Sequence, residues 1–153
     1  MDHTDFEIIR LLRENARMNA STIRSKVNLS VSAVLERIRK LEENVTIDQY
    51  TVLLNQKQLG NDLTALMEVS LEHPRYFDDF CEMICNEPSI ASCYYLTGEF
   101  DFMLKIYTDS SESLELIHRM IKSMKGVQNT KTHFVLKSIK NELSVIPELP
   151  PKK

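Results

Sequence analysis

The sequence predicts an α+β protein of two domains, a small helical head followed by an antiparallel sheet that carries two helices. Three observations support this. Residues 19–42 hold two capped helices joined by a short turn. Residues 63–72 switch to alternating apolar and polar side chains, the period of a half-buried strand rather than of a helix. Strand-like and helix-like segments then follow one another across 63–142 in the order β-α-β-β-α-β.

In the head, a first helix is expected over residues 4–15, capped by Asp2 or Thr4. Asp5 and Glu7 fall in its first turn, where acidic groups meet the positive end of the helix dipole, and Phe6, Ile9 and Leu12 form its apolar seam. Asn19 caps a second helix, Asn28 stands where the chain must leave it, and Ser30 caps a third. Each cap is worth about 1 kcal/mol over Ala. Within the third helix Val31, Val34, Ile38 and Leu41 recur at spacings of three and four and face inward. Ser32, Ala33, Glu36, Arg37 and Lys40 share the opposite face. A mostly polar face with cations just after a tight turn has the form of a DNA recognition helix, and the plainer alternative is a solvated face. Residues 45–47 and 50–54 read as short extended segments, a wing and a connecting strand. The polar stretch 55–60 places the domain boundary within 48–61.

In the second half Leu63, Ala65, Met67, Val69 and Leu71 alternate with Thr64, Glu68, Ser70 and Glu72. Phe77, Phe80, Cys81 and Ile84 have helical spacing, and Glu87-Pro88 ends that helix. Residues 90–96 and 102–108 are strand-like and flank a hairpin loop at 97–101. Asp109 to Glu112 reads as a capping box for a helix with seam Leu114, Ile117, Ile121 and Met124, and Gly126 as its left-handed stop. Residues 130–139 form the last strand. Such a ferredoxin-like sheet is covered by helices on one face only, so self-association through the other is expected. Residues 143–153, with three prolines, are expected to be a mobile tail.

Composition narrows the function classes. The chain has 153 residues, 42% hydrophobic and 27% charged, which is ordinary for a globular protein. No apolar run approaches a membrane span and the acidic start is wrong for a secretory signal, so a cytoplasmic protein is expected. Cys81, Cys85 and Cys93 lack the paired spacing of a zinc site; for Cys81 and Cys85, four apart on an expected helix, buried small hydrophobes are the expected reading, and no metal and no cofactor is implied. Residues 1–42 carry eight Lys/Arg against six Asp/Glu, and the remainder eleven against sixteen, within a net charge of −3. A weakly basic head on an acidic body implies that DNA affinity comes from several heads acting together.

Taken together, the chain resembles the Lrp/AsnC family of transcriptional regulators, over about residues 2–142. The resemblance rests on Asp2, Asp5, Ile8 and Ile9 in the first helix, Ala16-Arg17 before the second, and Leu29-Ser30 in the turn. It continues through residues 37–43 of the recognition helix, Ile47, Tyr50 and Leu59-Gly60, the loop from Thr97 to Asp101, Gly126-Val127, Thr130 and Thr132. It implies a winged helix-turn-helix DNA-binding domain at 1–50, a connecting strand or linker at 51–62, and a ferredoxin-like effector-binding and oligomerisation domain at 63–142. Family members dimerise through their sheets and often assemble further to tetramers or octamers, with small effectors, usually amino acids, bound where dimers meet. The implied partners are double-stranded DNA, an amino-acid effector and further copies of the chain, with no membrane. The DNA-binding residues would be Ser30, Ser32, Ala33, Arg37, Arg39 and Lys40.

By the same resemblance the effector loop maps to Thr97, Gly98, Glu99, Phe100 and Asp101, and an opposing wall to Gln128, Thr130 and Thr132. Gly98 lets backbone N–H groups approach a carboxylate, Asp101 can pair with an ammonium and Phe100 offers an apolar wall. The plain alternative is that Gly98 makes a turn and Asp101 satisfies a loop amide. Four positions depart from the family pattern. Arg24 replaces a small residue, Asn28 the turn glycine, and Val45 and Gln49 two glycines of the wing. Asn28 tolerates the left-handed conformation, whereas β-branched Val45 is expected to avoid it and reshape the wing. Arg24 must point outward or change the helix packing.

Three functions follow: an effector-controlled DNA-binding regulator, a metabolite-binding assembly with degraded sequence recognition, and an enzyme like the sirohaem decarboxylases of similar architecture. No catalytic residue is assigned, because His3, His73, His118 and His133 form no motif.

Overall fold

The computed structural model describes residues 1–148; the expected tail therefore lies partly, at Leu149 to Lys153, outside the described residues. The chain divides into two units, Met1–Leu53 together with the segment from Asn141, and Leu54–Lys140.

Helix α1 (His3–Glu14) opens with a reciprocal capping box in which Asp2 and Asp5 accept each other's backbone N–H. Thr4, the alternative cap, lies inside the helix. Helix α2 (Ala20–Val27) is capped by Asn19, and α3 (Val31–Glu43) by Ser30, which accepts from the Ala33 N–H at 3.1 Å. Asn28 ends α2 at φ 55°, in the left-handed conformation it was expected to tolerate. The head core is Ile8, Leu12, Ile23, Val34 and Leu41, with Ile9, Ile38 and Ile47 packed against it. The buried seam of α1 thus runs through Ile8 and Leu12, while Phe6 stays half-buried.

Two features after α3 differ from expectation. Residues 45–54 form no strand, because no ladder partner lies among the described residues; Val52 and Leu53 are exposed and Tyr50 donates its hydroxyl to Glu42 at 2.8 Å. Val45 does adopt the left-handed conformation, at φ 57°. Its N–H donates to the Glu42 carbonyl, and the Ile47 N–H then reaches the Leu41 carbonyl at 2.9 Å. The turn seats Ile47 on the core, and that burial offsets the strain at Val45, whose side chain is solvent-exposed.

The second unit begins with a short 3₁₀ turn, Gln56–Leu59, ended by Gly60 at φ 86°. Its sheet comprises β1 (Leu63–Leu71), β2 (Ile90–Tyr95), β3 (Phe102–Thr108) and β4 (Val127–Phe134) in the antiparallel order β2-β3-β1-β4. With α4 (Phe77–Cys85) and α5 (Ser111–Ser123) in the connections, this is the expected β-α-β-β-α-β arrangement. Ala65, Met67, Val69, Phe102, Leu104 and Ile106 alternate inward and pack on Phe80, Ile84, Leu114, Ile117 and Ile121 of the helices. The opposite face carries Leu66, Glu68, Met103, Lys105, Tyr107 and His133, and no element of this unit covers it. Glu68 there accepts from His133 at 3.1 Å.

Several boundaries shift for physical reasons. Strand β4 ends at Phe134 rather than residue 139, because Phe134 already stands opposite Ala65 and Val135 makes the last bond, to Thr64. Helix α5 is capped by Ser110, one residue later than the Asp109 start expected, and Asp109 instead accepts from the Ser110 and Thr108 hydroxyls. Cys85 is exposed rather than buried, and Cys81 is half-buried. The α5 cap is Met124, in extended conformation, and Gly126 does more than stop the helix. At φ 88° it lies against Tyr76, and an added Cβ would come within 2.2 Å of that ring.

Gly126→Ala is expected to destabilise the sheet domain by roughly 3 kcal/mol or more, from overpacking together with left-handed strain; a chemical-denaturation midpoint unchanged from wild type would refute the Tyr76 contact. Val45→Gly should instead stabilise the head by up to roughly 1 kcal/mol, since relief of left-handed strain exceeds the entropic penalty of glycine, read as a higher thermal midpoint.

Candidate functional site

The helix-turn-helix presents the N-terminal end of α3. The Ser30 Oγ lies 3.0 Å from that of Ser32, so the cap hydroxyl is shared between the helix and its exposed first turn. Ser32, Glu36, Arg39 and Lys40 are exposed, and Ala33 is half-buried. The cations here are compensated. Arg39 binds Glu36 through Nε and Nη2 and Glu43 through Nη1, while Lys40 Nζ lies 3.4 Å from Glu36. The Arg39 guanidinium in turn holds the Glu36 carboxyl below its usual range.

Arg37 has a different position from its neighbours. Its Nη1 lies 2.6 Å from Asp5 Oδ1 and 2.8 Å from Asp2 Oδ2, which fastens α3 to the capping box of α1. Its side chain is half-buried, and the pairing with Asp5 and then Asp2 raises its already high pKa. The head cations with no ion pair among the described residues are Arg10, Arg17, Arg24 and Lys26, all exposed. Arg24 therefore points outward. Lys26 was absent from the sequence-derived set, although no acid stands three or four residues from it, which is a readable sign of an uncompensated charge.

In the sheet domain the loop between β2 and β3 is held at the end of β1. The Asp101 N–H donates to the Val69 carbonyl at 3.0 Å, and Asp101 Oδ2 accepts from the Leu71 N–H at 2.7 Å. A 2.7 Å bond from the Leu96 N–H to the Asp101 carbonyl closes the loop. Thr97, Gly98 and Glu99 are exposed, Phe100 is half-buried, and Gly98 sits at φ 130° with open space where a Cβ would project. The plain role foreseen for Asp101, satisfying a backbone amide, is met by one of its two oxygens.

The opposing wall lies across β1. Thr130 stands opposite Val69 and Thr132 opposite Met67, on the helix-covered face. Thr130 Oγ1 is 3.1 Å from His118 Nε2 of α5, whereas Thr132 Oγ1 is buried with no hydrogen-bond partner among the described residues. Phe102 and Thr130 flank Val69 from opposite sides, two strand spacings or about 10 Å apart. Beside the loop a hollow of about 60 Å³ is walled by Leu71, Pro74, Phe77, Tyr95, Asp101 and Phe102. Of the eight residues expected to bind effector, Asp101 alone lines it. Among the described residues no group of three potential metal ligands comes together, and no helix is long and apolar enough to cross a membrane.

Comparison with known proteins decides what this arrangement is. Residues 64–145 match the Lrp/AsnC ligand binding domain, and residues 1–44 a winged helix-turn-helix DNA-binding domain. The chain belongs to the Lrp/AsnC family of transcriptional regulators. It is 31% identical over 142 residues to the Bkd operon transcriptional regulator of Pseudomonas aeruginosa, covering 91% of this chain and 93% of that one. It is 32% identical to LrpC of Bacillus subtilis, with 91% and 94% covered. Among solved structures, a Neisseria meningitidis transcriptional regulator in complex with L-Met superposes with a TM-score of 0.91 at 31% identity, covering 95% and 96% of the two chains. In this Lrp/AsnC protein the match to the DNA-binding family ends at residue 44, just before the turn at Val45.

The Arg37 contact yields a stability prediction with a defined pH dependence. Arg37→Ala should lower head stability by about 1 kcal/mol, between an exposed ion pair and a charged hydrogen bond. The Asp5 N–H, with Arg37 beside it, holds the Asp2 carboxyl below its ordinary value. The stabilisation is therefore full above the unfolded carboxylate value and is lost as pH falls through the folded one. The gap in thermal midpoint between wild type and Arg37→Ala should narrow below about pH 4; a gap that widens on acidification would contradict the pairing.

Proposed function

We propose that this Lrp/AsnC regulator binds double-stranded DNA as a dimer or larger assembly, in the cytoplasm, and that an amino acid bound by the sheet domain changes its assembly or its DNA affinity. The observation that carries the reading is the joining, in one chain, of a capped helix-turn-helix to a sheet domain whose Gly98 loop is open and anchored through Asp101. The Neisseria relative crystallised with L-Met supports an amino acid as the effector class. The uncovered sheet face, with Leu66, Met103 and Tyr107, supports pairing with a second copy.

On DNA, Ser32 and Ala33 approach base edges, Ser30 holds the helix start, and Arg39 and Lys40 exchange their glutamate partners for phosphate. Arg37 acts indirectly, by fixing α3 against α1. Arg24 and Lys26, at the end of α2, add phosphate contacts, consistent with the first helix of such a motif crossing the backbone. No catalytic step is assigned to the chain: His73 caps a turn, His118 meets Thr130 and His133 meets Glu68, in separate places.

The compensated cations favour a second reading, in which the head binds DNA with little sequence preference. A salt titration of binding to the chain's own upstream DNA and to a scrambled control separates the two. The regulator reading predicts tighter binding to the upstream sequence, with Arg24→Ala and Lys26→Ala each lowering the salt slope by about 1. Equal affinity for both DNAs would favour the second reading. For the sensing half, an effector at 100 times its dissociation constant should stabilise the protein by about 2.7 kcal/mol, visible as a rise in thermal midpoint for at least one of the twenty amino acids.

A further inference from the structure

The three cysteines, all free thiols, gather at one edge of the sheet domain. Strand β2 is an edge strand, bonded to β3 alone. In it Cys93 stands opposite Leu104 and Tyr95 opposite Phe102, so both point to the helix-covered face. Strands β1 and β2 each pair antiparallel with β3 and thus run parallel, and α4, which connects them, runs back the other way. The level of helix against strand is set by Phe77, whose ring meets Tyr95 edge-on at 5.1 Å. Cys81 lies one turn further along α4, about 6 Å, and Cys93 two residues back along β2, about 6.6 Å. The two thiols therefore face each other at the same height. Cys81 packs against the core, while Cys85, one turn beyond it, is exposed like Cys93.

The electrostatics agree with this placement. Partial burial, and after it the Cys81 and Cys85 thiols, push the Cys93 thiol up to about 11. Burial, followed by Cys85 and Asp78, raises the Cys81 thiol. Cys81 and Cys85 do not suit one another, because a helical turn separates their Cβ atoms by about 5–6 Å, beyond the roughly 3.5–4.5 Å of a disulfide. We infer that Cys81 and Cys93 form a reversible disulfide that staples α4 to the edge strand β2, made by exchange with a low-molecular-weight disulfide such as oxidised glutathione. Cys93, the exposed member, attacks as its thiolate, bonding to one glutathione sulfur while the other leaves as a thiolate. The Cys81 thiolate then attacks the Cys93 sulfur and expels the second glutathione. Two protein thiols are oxidised, and the two electrons and two protons they lose convert one glutathione disulfide to two thiols. Both protein thiols hold their protons near neutral pH, so exchange is slow and the pair responds to a sustained shift in thiol balance. In a reducing compartment such a disulfide is transient and reports that balance.

Equilibration of the full chain in buffers of graded reduced and oxidised glutathione, followed by alkylation and non-reducing peptide mapping by mass spectrometry, tests this. Wild type should lose two of its three free thiols as oxidised glutathione rises, yield a peptide pair joined through Cys81 and Cys93, and recover all three on return to excess reduced glutathione. Cys85→Ser should behave as wild type, whereas Cys93→Ser, at an exposed position, should form no internal crosslink. The wild-type map stands alone should a variant fold poorly. A disulfide joining Cys85 to either other cysteine, a crosslink between chains, or glutathione left attached with no internal crosslink would each overturn the pairing, as would three thiols that stay reduced throughout. Closing residues 81–93 into a loop removes freedom from the unfolded chain, so the oxidised protein should melt at a higher temperature than the reduced one. An oxidised midpoint no higher than the reduced one would overturn the juxtaposition of Cys81 and Cys93 in the native fold.

Discussion

The last residues of β1 hold the sensing half together. Through Asp101 they fix the β2–β3 loop, by one bond from its backbone N–H and one to its side chain. On the other side the Glu72 N–H donates to the Gly126 carbonyl at 2.8 Å, which ties the start of β4 to the same point. The ladder shifts register between Ser70 and Leu71, and a bulge there turns the strand end so that both neighbours reach it. The hollow, the open Gly98 backbone and the first residue of β4 all depend on that junction. Asp101 holds that junction with one carboxylate oxygen and its backbone N–H.

The head shows the complementary situation, in which charge is neutralised internally. Arg39 and Lys40 have glutamates within one helical turn, and Arg37 reaches back to the α1 cap. Salt bridges on an exposed helix are worth little individually, so exchanging Glu36 or Glu43 for phosphate costs little. Arg37 is less exchangeable, since Asp5 is largely buried, with 15% of its side-chain surface exposed. The net result is a surface on which the recognition-helix cations Arg37, Arg39 and Lys40 are all paired with acids.

Local signals were legible in the sequence. The Asn19 and Ser30 caps, the alternation along β1 and the β-α-β-β-α-β order each depend on residues a few positions apart, and each appears as read. The compensation of Arg39 and Lys40 was equally available from their spacing to Glu36 and Glu43. What the sequence concealed involves distant partners. The Arg37–Asp5 contact spans 32 residues, the Gly126–Tyr76 contact joins a turn to a buried ring, and the hollow draws its walls from four separate segments. Val45 failed as an expectation for another reason: propensity forbids its conformation, and burial of Ile47 two residues later imposes it. The wing strand failed because a strand needs a partner, which pattern alone does not supply.

An effector-responsive regulator requires that amino-acid binding and DNA binding be coupled, and coupling between two ligands is reciprocal. The most direct measurement is the dissociation constant of the tightest-binding amino acid, taken for the protein alone and again with the upstream DNA at saturation. Two constants differing by about fivefold or more, matched by an equal change in DNA affinity when the amino acid is saturating, is the predicted result. Identical constants with and without DNA would contradict it, and would leave the two domains as independent binders on one chain.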